Sequence, residues 1–159
     1  MILVLLLTLL TTSCQRHSQW QYHHINEKTA NATRVLYRST DPVQGIDVEM
    51  IEADGQLATY LQVHSQPLLP SHEDPQKTEV KIYTTHGEKT FLAHYHLGEQ
   101  RVRLSEVLQA ELISVLKEGN PVTLELVGYR ETIDPSHFQK VFQRSNQKAP
   151  SAFNRIRLY

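Results

Sequence analysis

Nine histidines stand out in this chain of 159 residues. His94 and His96 lie two apart in a stretch that alternates like a strand, so both project from one face, a spacing suited to metal ligation. A hairpin turning at His86-Gly87 pairs Val80 with Ala93 and Ile82 with Phe91, and it sets Glu79 opposite His94. His94, His96 and Glu79 then form a candidate trio of zinc-type ligands. The same register puts Lys77 opposite His96, where a cation opposes a divalent metal. The alternative for this face is a hydrogen-bonded polar surface. Catalytic patterns are missing: the six glycines make no phosphate-cradling loop, and neither a Gly-x-Ser-x-Gly elbow nor a His-Glu-x-x-His motif occurs. The acidic pair Glu73-Asp74 sits in a proline-rich loop, without the apolar surroundings that acid–base catalysis exploits. The reading is a non-enzymatic protein without a cofactor.

Composition bounds the class. With 40% apolar residues, 21% charged and a net charge of −1, the chain is neither collagen-like, multi-pass membrane nor disulfide-stapled, and its near-neutral balance speaks against a nucleic-acid partner. Of 63 apolar residues, nine fall in the first 13 positions, which leaves 54 in the remaining 146. That supply supports one core.

Residues 1 to 10 form an apolar run that as a helix rises only about 15 Å, half a bilayer core. The length suits a secretory signal over residues 1–13. Cys14, the single cysteine, stands where the run stops and cannot staple its own fold. Leu10-Thr11-Thr12-Ser13-Cys14 resembles the lipobox of bacterial lipoproteins, with Thr11 where a leucine is usual. The resemblance implies cleavage before Cys14, diacylglycerol on its sulfur and a third acyl chain, such as palmitate, on its amine. More than one chain anchors a protein firmly to a membrane. Gln15, which is not the aspartate associated with inner-membrane retention, implies the outer membrane within the cell envelope.

Residues 14–32, the anchor and the polar segment after it, read as a flexible tether, with Trp20 either at the membrane interface or docked on the domain. An α+β domain is expected over 33–145, an antiparallel sheet of hairpins packed by one long and one short helix. Thr33 to Ser39 is a strand candidate. Asp54-Gly55 is a two-residue hairpin signal, and it pairs Ile46 with Val63, Val48 with Leu61 and Met50 with Thr59 on one face, leaving Asp47, Glu49, Tyr60 and Gln62 on the other. Ser105 caps a helix with an apolar stripe of Leu108, Leu112, Val115 and Leu116. Val122, Leu124 and Leu126 alternate in a strand running to about Arg130. A short helix begins with Asp134 as N-cap and Pro135 at its first position, and presents Phe138, Val141 and Phe142.

Two regions point to partners. Leu68 and Leu69, in the proline-rich loop 66–76, either cover a core edge or form a binding tip. Residues 39–76 hold seven acids and no Lys or Arg, whereas 135–159 hold five basic residues and no acid. Within the basic C-terminal segment 146–159, Arg155 and Arg157 are candidates for meeting anionic headgroups or an acidic protein. The resulting expectation is a lipid-anchored envelope protein with a scaffold, assembly or secretion-accessory role, the alternative being a module that binds a lipid or a metal.

Overall fold

The structure, a computed structural model, describes residues 19–27, 30–96 and 98–148. Nine strands form one antiparallel sheet: β1 (Trp20–Glu27), β2 (Ala30–Tyr37), β3 (Ile46–Ala53), β4 (Gln56–Val63), β5 (Lys77–Thr84), β6 (Gly87–Tyr95), β7 (Arg101–Arg103), β8 (Val122–Leu126) and β9 (Tyr129–Ile133). Their order across the sheet is β1-β2-β3-β4-β7-β6-β5-β8-β9. Helices α1 (Glu106–Lys117) and α2 (Phe138–Lys148) have 12 and 11 residues. Neither is long and apolar enough to cross a membrane.

The expected α+β arrangement with one long and one short helix is therefore wrong. The helices are nearly equal and a single large sheet dominates, to which two regions add strands beyond those expected from the sequence. The first is β1, which lies in the segment expected to be a tether. Trp20 is buried, its ring centroid 5.1 Å from Tyr37 and 4.7 Å from Phe138, and its indole N–H donates to the Asp134 carbonyl at 2.8 Å. A buried indole with its donor satisfied fixes the strand to the core. The second is the stretch expected to be one strand to Arg130, which turns at Val127-Gly128 into the β8–β9 hairpin, so that Val122 pairs with Ile133 and Leu126 with Tyr129.

The β3–β4 hairpin forms in the expected register, with Asp54 and Gly55 both at positive φ, 52° and 76°, as a two-residue primed turn requires. The β5–β6 hairpin does not. Its turn is Thr85-His86, and Val80 pairs with Phe91 and Ile82 with Lys89. The Thr84 hydroxyl accepts the His86 N–H at 3.1 Å and so closes the turn one residue early. Moving a turn by one residue shifts the pairing by two, which keeps every side chain on its face. The apolar alternation is blind to that slip.

One face of the sheet, here the inner face, carries Val35, Ile46, Val48, Leu61, Val80, Ile82, Val102 and Leu124, all buried in one core with the apolar residues of the two helices. Ser105 caps α1 as expected and accepts the Leu108 N–H, and Leu108, Leu112, Val115 and Leu116 point inward. α2 starts later than expected. Asp134 instead closes a turn by accepting the Ser136 N–H at 2.8 Å, and the helix begins at Phe138. The sheet curls until β9 meets β2 from within: the Tyr37 hydroxyl donates to Glu131 at 3.0 Å and the Ser39 hydroxyl to the same carboxylate at 2.5 Å.

Candidate functional site

The slipped β5–β6 register takes the proposed metal trio apart. His94 pairs with Lys77 on one side and Arg103 on the other, so Arg103, His94 and Lys77 form a row across β7, β6 and β5. Glu79 pairs with Leu92, and its carboxylate lies 3.5 Å from the Lys81 ammonium. His96 turns toward Tyr60, with ring centroids 4.7 Å apart. Among the described residues no group of three His, Cys, Asp or Glu side chains is gathered to hold a metal.

The outer face instead organises charge around aromatic rings. Two carboxylates on β3 are buried there, Asp47 at 4% and Glu49 at 6% exposure. Glu49 pairs with Arg34 on β2 and, at 2.5 Å, with Arg101 on β7, whose guanidinium lies 4.3 Å over the Tyr60 ring. Farther across the sheet the motif repeats. Arg130 lies 5.0 Å over Tyr83 and 3.2 Å from Glu125, and the Tyr83 hydroxyl donates to the same glutamate at 3.2 Å. Desolvation, followed by the Glu125 charge, pushes the Tyr83 phenol above its ordinary value.

Asp47 holds the loop 38–45. It accepts from Arg38 Nη1 at 3.0 Å, the Ser39 N–H at 2.9 Å and His64 Nε2 at 3.0 Å. His64 Nδ1 faces the Asp41 carbonyl at 2.8 Å, so both ring nitrogens lie within hydrogen-bond distance of an oxygen. Asp47 and His64 do not extend into a serine triad: the nearby Ser39 and Ser65 hydroxyls donate to Glu131 and to the Val43 carbonyl. Asp41 completes the loop by accepting the Gln44 and Val43 N–H groups, which hold its carboxyl below the usual range. Gly45 allows the tight fold, since a Cβ there would sit 2.3 Å from the Asp41 carbonyl and the Ser39 hydroxyl oxygen.

The two leucines of the proline-rich loop separate. Leu68 is buried at 2% exposure, its N–H donating to the Glu99 carbonyl at 2.8 Å and its carbonyl accepting from the Tyr95 hydroxyl at 2.9 Å. Leu69 is 61% exposed. It borders an open cleft of about 320 Å³ together with Val43, Pro67, Val127 and Tyr129. Cys14, Arg155 and Arg157 lie outside the described residues.

Sequence reasoning put Asp47, Glu49 and Tyr60 on the outer face but missed Arg34, Arg38, His64 and Arg101 as their partners. The alternation of β3 carries the signal for the first group. The partners come from other strands and loops, and only the sheet order brings them there. Comparison of the chain with protein-family models, curated proteins and solved structures returned no match.

Proposed function

We propose that this chain is an envelope lipoprotein, anchored through lipid on Cys14 in the outer membrane, whose sheet domain binds another envelope protein as a scaffold, assembly factor or secretion accessory. The observation that carries this reading is the outer face of the sheet. Tyr60, Tyr83, Arg101 and Arg130 are held there in two arginine-over-tyrosine stacks, each braced by a glutamate. Tyrosine and arginine are the residue types enriched in protein interfaces and their hot spots. Side chains already ordered by stacking and ion pairs lose less entropy on binding. In the row Arg103, His94 and Lys77 beside them, Lys77 is already paired with Asp74 at 2.9 Å, so it is Arg103 whose charge favours an acidic partner surface.

Two measurements test the reading. Intact mass and detergent-phase partition of the full chain should show lipid that Cys14→Ser abolishes; no difference between the two refutes anchoring. Photo-crosslinking groups placed in cells at Tyr83 and His94 should each capture one and the same envelope protein, and Arg103→Glu should remove the adduct. Capture at Val107 on α1 with none at Tyr83 or His94 would refute the outer face as the binding surface.

A further inference from the structure

We infer that the end of the sheet carrying Val43, Leu69 and Val127 docks on the bilayer surface, an inference that rests on the lipid-anchor reading above. Val43, Leu69 and Val127 are three of the four large apolar side chains exposed among the described residues, at 59%, 61% and 46%. They come from three different connections: the β2–β3 loop, the β4–β5 loop and the β8–β9 turn. All three surround the same 320 Å³ cleft.

The connections are tied to one another, so the apolar tips cannot fold away. The Ser65 hydroxyl donates to the Val43 carbonyl, Gln66 exchanges hydrogen bonds with the Tyr129 hydroxyl through its N–H at 2.5 Å and its carbonyl at 2.8 Å, and Gln100 Nε2 donates to the Ser65 carbonyl at 2.7 Å. A fixed array of aliphatic tips is a patch that water does not favour.

The place where the chain enters the fold selects the occupant. Gln19 sits at the root of the β2–β3 loop, where its carbonyl accepts the Arg38 N–H at 3.0 Å. Only residues 15–19 separate Cys14 from Trp20, and six steps of extended chain reach at most about 20 Å. A lipid on Cys14 therefore keeps this end of the sheet within about 20 Å of the headgroups. The fourth exposed apolar residue, Val107 at 71%, opens α1, which follows β7 as that strand runs away from this end, from the Gln62 pairing to the Tyr60 pairing.

The experiment uses the full lipid-modified chain in vesicles of phosphatidylethanolamine and phosphatidylglycerol. Acylation blocks the native thiol, so Val43→Cys, Leu69→Cys, Val127→Cys and Val107→Cys each add one free cysteine for an environment-sensitive fluorophore. The expected result is a blue shift and quenching by nitroxide-labelled lipid at 43, 69 and 127, with neither at 107. Adding Leu69→Asp should abolish the quenching at 43 and 127 while the melting temperature and the lipid mass stay unchanged. Lipid on Cys14 without quenching at the three tips overturns docking and leaves the anchor standing. Equal quenching at 107, or quenching that needs added envelope protein, also overturns it, the latter by assigning the cleft to a protein. A full chain that carries no lipid on Cys14 overturns the anchor and the docking together, and the mass spectrum identifies that case directly.

Discussion

On the inner face of β3, Ile46, Val48 and Met50 are buried among other apolar side chains, whereas on its outer face Asp47 and Glu49, interleaved with them, are buried almost as deeply among arginines, a histidine and the Ser39 backbone N–H. One strand thus hides its two faces by two kinds of physics. Apolar burial is non-directional and scales with area and fit. Burial of a carboxylate holds only while each of its partners stays in place. The inner face should therefore carry most of the stability, and the outer face most of the sensitivity to salt, pH and binding.

The largest expected effect lies inside. Phe138 is fully buried and packs against Trp20 and Phe142, so Phe138→Ala should cost about 3–5 kcal/mol in denaturant unfolding, largely independent of salt. A loss below about 1 kcal/mol would dissolve the contrast between the faces. Next comes Glu49→Gln, which leaves Arg34 and Arg101 without their shared counter-charge. Both arginines are partly solvated, at 33% and 23% side-chain exposure, so the expected loss is about 1–3 kcal/mol, and the variant's melting temperature should respond less to added salt than the wild type's.

A third test sits where the curled sheet joins β2 to β9. Burial, followed by the Glu131 carboxylate, pushes the Tyr37 phenol well above its ordinary value. A phenol that keeps its proton more tightly when folded contributes fully below the ordinary tyrosine pKa near 10 and loses that contribution as the pH rises beyond it. Tyr37→Phe should cost about 1 kcal/mol near neutrality and flatten the fall in stability above about pH 10. An unchanged alkaline slope would remove Tyr37 as its source. The smallest effect is expected at Arg130, which is 64% exposed: Arg130→Ala should change stability by no more than about 1 kcal/mol, while it weakens capture of the partner by a crosslinker at Tyr83.

The two central hairpins mark how far the fold could be read from the chain. Asp54-Gly55 is one of the few residue pairs that a two-residue turn with positive φ favours, and the β3–β4 register follows from it. Around His86-Gly87 the competing turn Thr85-His86 keeps the same faces, and the hydroxyl of Thr84 decides between them. The same slip dissolved the metal trio, since the trio depended on Glu79 lying opposite His94. β1 escaped notice because only Trp20 and Tyr22 mark its inner side, in a segment otherwise rich in Gln, His and Asn. Its place in the sheet comes from the core pocket between Tyr37 and Phe138 that receives the indole.

By itself the sequence determined which side chains face inward along β3, β4 and α1, where α1 is capped, and that Cys14 stands alone at the end of an apolar run. These are local matters of period, turn chemistry and spacing. The tertiary structure alone decided that Arg34 and Arg101 meet at Glu49, that His64 holds Asp41 and Asp47, and that Val43, Leu69 and Val127 share one cleft. Such neighbours are far apart along the chain. Only the order and curl of nine paired strands determine who meets whom, because each of those contacts is made between separate strands and loops.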